Sequence, residues 1–151
     1  MIRMSKLTDY GIVLLTHIAM GSERPLRTAQ ELAGASRIPL PTVSKILKEL
    51  SRAGLVVSHR GRRGGYSLAR RADAIAVSDV IAALEGPVAL TECTEVEGAC
   101  GLQRDCPAAS HWGVINLAIQ KALSGLTLSA LQPQPVRIGA PVVHVASGST
   151  P

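Results

Sequence analysis

The chain has no phenylalanine, a single tryptophan and two tyrosines. A core without large rings must be filled by Leu, Ile, Val and Ala, and 151 residues that are 46% hydrophobic supply enough of them for one compact domain or a small module with an appended element. Long apolar runs are also missing. The stretch GIVLLTHIAM, residues 11–20, falls short of the roughly 18 uncharged apolar residues a membrane span requires. No small-residue cleavage site follows it, so the reading excludes a membrane partner and a signal peptide. The expected location is the cytoplasm, where thiols stay reduced. Cysteines number three, an odd count that argues against a closed disulfide framework. There is no Ser/His/Asp set, phosphate-binding loop or carboxylate pair with an evident site, so neither an enzyme nor a small-molecule substrate is expected.

Acidic residues are scarce in one half. Residues 1–71 hold 13 of the 16 Lys and Arg but only four of the 11 Asp and Glu, a net charge of +9. Residues 72–151 carry a net −4, and all three cysteines lie there. The basic half calls for a polyanion, and the asymmetry points to two tasks on one chain. A solvated basic surface is the plainer explanation.

Apolar spacing predicts a helix over residues 5–20, stopped by Gly21. Thr28 followed by Glu31 forms a capping box that starts a second, short helix, and GASRIPLP reads as the turn after it. From about Thr42, the residues Val43, Ile46, Leu47 and Leu50 form one stripe of a third helix, ended by Gly54. Two helices joined by a tight turn make a helix-turn-helix. LVVSH and GYSLA flank RGRRGG, a strand–turn–strand pattern that adds a wing. A fourth helix is expected from Ser78 as N-cap to Gly86. After the cysteine loop, Pro107 opens a long helix whose apolar face is Trp112, Ile115, Ile119, Ala122 and Leu123, and LTLSAL adds one turn. The expected fold is mainly α with a small β-hairpin wing. Residues 1–72 form the winged helix-turn-helix, 73–131 the cysteine loop and dimerisation helices, and 132–151 a disordered tail.

The second helix of a helix-turn-helix meets base edges with its N-terminal residues. Here these are Pro41, Thr42, Ser44 and Lys45, with Lys48 and Arg52 further along and Thr28 at the start of the preceding helix. All lie off the apolar stripe. The wing turn places Arg60, Arg62 and Arg63 among glycines that let the backbone approach a duplex. Lys48 and Arg52 also fit a purely solvated face, but three arginines at one hairpin tip repel each other unless phosphate relieves them.

Cys93, Cys100 and Cys106 are spaced by six and five residues. Ligand pairs in structural zinc sites usually sit closer, whereas a cluster needs ligands spread around several irons. The acidic neighbours Glu92, Glu95, Glu97 and Asp105 disfavour the thiolate a nucleophile needs. Spacing alone leaves an iron–sulfur cluster, a zinc site completed by His111, and no metal at all as open readings.

SKLTDYGIVLL, TAQELA, PLPTVSKILKELSRAGLV, RGRRGGYSLAR, VIAALEGP and the three spaced cysteines resemble the Rrf2 family of bacterial winged-helix regulators, which includes IscR-like and NsrR-like members. LTDY, ALEGPVALTEC and HWGVINLAIQKAL resemble the branch that regulates Suf-type iron–sulfur assembly genes. The resemblance covers residues 1–131. It implies a repressor of such genes, a homodimer formed through the long helix (Trp112, Ile115, Ile119, Leu123), a twofold double-stranded DNA operator, and a 2Fe-2S or 4Fe-4S cluster on Cys93, Cys100 and Cys106. IscR-like members carry a histidine three residues after the third cysteine, where this chain has Ala109. His111, five residues after Cys106 on an expected helix, points about 140° away. NsrR-like members use an aspartate at the start of the partner's first helix, which corresponds to Asp9 in LTDY; a first-turn aspartate is also common for the helix dipole alone. A nitric-oxide or redox sensor on the same scaffold, and a zinc-stabilised nucleic-acid-binding protein, are the alternatives.

Overall fold

A computed structural model describes residues 4–21, 26–95, 100–101 and 105–132. The expected tail lies outside the described residues from position 133 onward. Helix α1 spans Lys6–Ala19. Its N-cap Ser5 accepts from the Thr8 amide at 3.3 Å, and Thr8, Gly11, Leu14, Leu15 and Ile18 form its buried face. Helix α2, Ala29–Ser36, starts at the expected capping box: the Glu31 amide donates to the Thr28 hydroxyl at 3.1 Å, and the Thr28 amide donates to the Glu31 carboxylate at 2.7 Å. The turn expected at Gly34 comes later. Gly34 stays helical, and Arg37 takes the left-handed conformation, φ 58°, that ends the helix. The Ser36 hydroxyl contributes by donating to the Leu32 carbonyl and accepting from the Ile38 amide.

Helix α3, Leu40–Arg52, begins two residues before the expected Thr42. Pro41 fits there because the first turn lacks intrahelical acceptors for its amides, so a missing N–H costs nothing. Val43, Ile46, Leu47 and Leu50 are all buried, as their spacing predicts. Gly54, at φ 70°, turns the chain into the wing. Strands β1, Val56–His59, and β2, Gly65–Leu68, pair antiparallel with Val56 opposite Leu68 and His59 opposite Gly65.

Helix α4 spans Val77–Glu85. Ser78 is not its cap. Ala76 occupies that position, and the Asp79 carboxylate accepts from the Ala76 amide at 3.2 Å. The start is set by pairing: the Val77 amide donates to the Leu126 carbonyl and the Leu128 amide to the Ile75 carbonyl, both at 2.8 Å. One helical turn, α5, covers Glu92–Glu95 within the cysteine loop. Helix α6, Ala109–Ser124, starts two residues after Pro107, which lies in the turn before it. A 3-10 turn at Leu128–Leu131 matches the extra turn expected there.

One hydrophobic core joins Leu14, Leu15, Leu32, Val43, Ile46, Leu47, Leu50 and Leu55 to Ile75, Val80 and Leu128. Burying each such side chain contributes about 1.5–3 kcal/mol. The chain after α6 therefore returns to the core of the helix-turn-helix, so α4 and α6 are anchored to α1–α3. The architecture is mainly helical: a winged helix-turn-helix followed by a long C-terminal helix.

Candidate functional site

Helix α3 and the wing form one basic face. Pro41, Ser44, Lys45, Lys48 and Arg52 are exposed and Thr42 is half-buried. Ser44, Lys48 and Arg52 line an open groove between α3 and the hairpin together with Ser51, Ser58 and Tyr66. Ser51, Ser58 and Tyr66 carry no periodic signal of their own, and only the packing of α3 against the hairpin brings them to the groove. Arg52 pairs with Glu49, three residues earlier, at 3.0 Å. Such an exposed pair contributes roughly 0.2–1 kcal/mol, little enough for a phosphate to displace. Thr28 is exposed, but its hydroxyl is already engaged by Glu31.

Arg60, Arg62 and Arg63 are exposed at the wing tip. Gly61 sits at φ 113°, and the Gly64 amide donates to its carbonyl at 2.9 Å. A Cβ at Gly64 would collide with the His59 carbonyl, so glycine is required for this turn. At Gly65 a Cβ would lie 2.9 Å from the Arg27 carbonyl. There the segment before α2 pairs with the wing: Arg27 N–H donates to the Tyr66 carbonyl at 3.0 Å and Tyr66 N–H to the Arg27 carbonyl at 2.8 Å. The wing is thereby fixed to the helix-turn-helix.

The three cysteines are free and half-buried, on the segment that joins α4 to α6. Cys93 lies on α5, with the Thr91 hydroxyl 3.1 Å from its sulfur. The Thr91 amide donates to the Thr94 hydroxyl at 3.2 Å, and that hydroxyl donates back to the Thr91 carbonyl at 2.8 Å. Cys93 therefore sits on a helical turn that the side chains of Thr91 and Thr94 support. Residues 96–99 and 102–104, including Glu97, lie outside the described residues.

Cys106 precedes α6 rather than sitting on it, so the angle expected between Cys106 and His111 does not apply. His111 is exposed in the first turn of α6. Asp9 is exposed in the first turn of α1. Among the described residues no three Cys, His, Asp or Glu side chains converge as metal ligands would. The donor set itself, three free thiols on one loop, suits a thiolate-ligated iron–sulfur cluster.

On α6 the expected apolar face divides. Ile119 and Leu123 are half-buried, while Trp112, Ile115 and Ala122 are exposed, as are Val114 and Leu117. The one buried residue of this helix is Asn116, a polar position that hydropathy spacing passes over.

A family model described as "Iron-dependent Transcriptional regulator", Rrf2, matches residues 4–134. "Protein rrf2" of Nitratidesulfovibrio vulgaris is 34% identical over 130 residues, covering 85% of this chain and 86% of that protein. The structure is similar to that of CymR, the global cysteine regulator of B. subtilis, with TM-score 0.68 and 27% identity over 87% of this chain and 96% of that one. It is also similar to T. potens IscR, with TM-score 0.64 and 26% identity over 85% of each chain. These relatives are regulators of transcription, not enzymes, and no helix among the described residues is long and apolar enough to cross a membrane. The family model spans the basic helix and wing, the cysteine-bearing segment and the long C-terminal helix, and the chain belongs to the Rrf2 family of DNA-binding transcriptional regulators.

Proposed function

We propose that this regulator is a cytoplasmic homodimer that represses iron–sulfur assembly genes of the Suf type and senses cluster status through Cys93, Cys100 and Cys106. The observation that carries the reading is the placement of three free thiols on the one segment that links α4 to α6, in a chain whose family is described as iron-dependent. The sequences LTDY and ALEGPVALTEC support the Suf assignment. An iron–sulfur cluster held by these thiolates supplies a crosslink that exists only when iron and sulfide are available.

The rest of the mechanism belongs to the chain's own residues. Asp9 of the partner subunit would complete the ligand set: LTDY matches the NsrR-like motif, and the carboxylate is exposed at the start of α1. Pro41, Thr42, Ser44, Lys45, Lys48 and Arg52 enter the major groove, with Thr28 beside the backbone, and Arg60, Arg62 and Arg63 hold phosphates or a narrow minor groove. The exposed Trp112 and Ile115 of α6, with the half-buried Ile119 and Leu123 at the edge of that face, pair with their twofold copy, which spaces two recognition helices for a twofold operator. Regulation requires that the loaded and empty forms differ in operator affinity. Anisotropy titrations of a labelled operator with loaded, empty and Cys93→Ala protein test this. The reading expects the loaded form to differ from the other two, which should match each other. Equal affinity of all three overturns cluster sensing.

A further inference from the structure

Asn116 is 5% exposed, the one buried residue of α6, and Ile119 and Leu123 lie on the same inward side of the helix. A buried amide is costly unless its polar atoms are satisfied, and a leucine there would pack without that cost. Both ends of the Asn116 side chain are satisfied by one short backbone segment. Its Oδ1 accepts from the Leu90 amide at 3.2 Å, and its Nδ2 donates to the Val88 carbonyl at 3.2 Å. One turn further along, Gln120 Nε2 donates to the same Val88 carbonyl at 2.9 Å.

The clamped segment leads directly to the sensor loop. Leu90 is followed by Thr91, whose hydroxyl lies 3.1 Å from the Cys93 sulfur and whose backbone is tied to Thr94. The chain from Leu90 to Cys93 is therefore held at its base by α6 and at its end by a threonine pair. At the other end of the segment, Glu85 at the end of α4 is tied to the start of α1.

We infer that Asn116 is a positioning residue for Cys93: its amide fixes the base of the cysteine loop on the long helix, with Gln120 as second support. This deepens the proposed function, on whose assignment of Cys93 as a ligand it rests. A buried polar pair here sets geometry that an apolar contact would leave free to slide. Groups that orient a ligand typically change metal retention by roughly 10–100-fold when removed.

The test compares wild type, Asn116→Leu and Gln120→Ala, first as cluster-free, fully reduced full-length protein. Alkylation rates of Cys93 and Cys106 are read by peptide mass spectrometry, with Cys106 as internal reference, and exchange of the Leu90 amide is followed alongside. Asn116→Leu, which deletes both bonds to the segment, should raise the Cys93/Cys106 rate ratio roughly 10-fold and speed Leu90 exchange. Gln120→Ala, which leaves the Leu90 bond intact, should raise the ratio by about 2–3-fold. If Asn116→Leu fails to fold, as judged by circular dichroism, the Gln120→Ala arm decides. An unchanged ratio in a folded variant overturns the inference. In reconstituted protein, Asn116→Leu should lose cluster absorbance about 10-fold faster than wild type. If wild type takes up no cluster, the proposed function fails by that result, whereas the positioning of Cys93 stands or falls on the alkylation ratio.

Discussion

The carboxylate of Glu85, the last residue of α4, accepts a hydrogen bond from the buried hydroxyl of Thr8 in the first turn of α1. The same Oε1 accepts from the Ser5 amide at 3.1 Å. A carboxylate at a helix N-terminus satisfies amides that have no intrahelical partner and complements the helix dipole. These residues are 77 and 80 positions apart in sequence, so the contact joins the end of the helix before the cysteine segment to the start of the DNA-binding domain, one residue from Asp9.

The Thr8 hydroxyl, more than the Ser5 donor, holds the Glu85 carboxyl below the usual glutamate value, against an opposing effect of desolvation. A carboxyl with a lowered folded value contributes stability that is present above the unfolded value and lost as pH falls through the folded one. Glu85→Gln should therefore be less stable than wild type at pH 7, and the gap should start to shrink below the ordinary glutamate value of about 4.3 and vanish once pH has fallen through the lower folded value. Thr8→Val, which keeps the shape and deletes the donor, should cost about 1 kcal/mol at pH 7. Urea denaturation at pH 7 and below pH 4 checks both.

Gly11 faces α4 from the buried side of α1. A Cβ there would collide with the Leu84 side chain and sit 3.7 Å from Val80. Gly11→Ala gains up to about 1 kcal/mol of helix propensity, offset by displacement of Leu84. Gly11→Val should destabilise by about 1–3 kcal/mol, and Leu84→Ala should recover part of that in a double-mutant cycle of thermal melts.

The wing arginines should act on affinity without regard to base sequence. Each of Arg60→Ala, Arg62→Ala and Arg63→Ala should flatten the slope of log affinity against log salt by about 0.9 if its side chain neutralises one phosphate. Lys45→Ala should instead narrow the difference between operator and random DNA. Titrations at several salt concentrations separate the two effects.

The exposed apolar face of α6 should hold the dimer. Ile115→Asp places a charge there, and sedimentation should show a shift from dimer to monomer. Unchanged secondary structure is expected because Ile115 is 43% exposed in the single chain.

Much of the DNA-binding half was legible in the sequence because its signals are local. Thr28 and Glu31 cap each other across three residues, and Val43, Ile46, Leu47 and Leu50 repeat at helical spacing and are buried. Local signals also misled. Gly34 reads as a terminator, but the helix continues to Ser36 and Arg37 adopts the left-handed turn instead. Ser78 reads as a cap, but pairing of residues 75–77 with 126–128 places the start of α4 at Val77. That pairing links segments some fifty residues apart and leaves no periodic trace. Asn116 was invisible for a related reason, since a period of apolar residues discards the polar one whose partners, Val88 and Leu90, are 28 and 26 positions away. The cysteines could be read as candidate ligands because an odd count does not close a disulfide framework and acidic neighbours disfavour a nucleophile. Spacing pointed to no fourth ligand, and Asp9 entered only through the resemblance of LTDY, because a ligand supplied by a second chain would have no spacing within the first.

Iron, sulfide and zinc analysis of anaerobically purified wild type and Cys93→Ala, with a visible spectrum of each, decides what the three thiols hold. Wild type should contain iron and acid-labile sulfide and show thiolate-to-iron absorbance, and Cys93→Ala should lose all three signals. Zinc without sulfide in the wild type, or iron and sulfide retained in Cys93→Ala, rules out a cluster held by Cys93, Cys100 and Cys106.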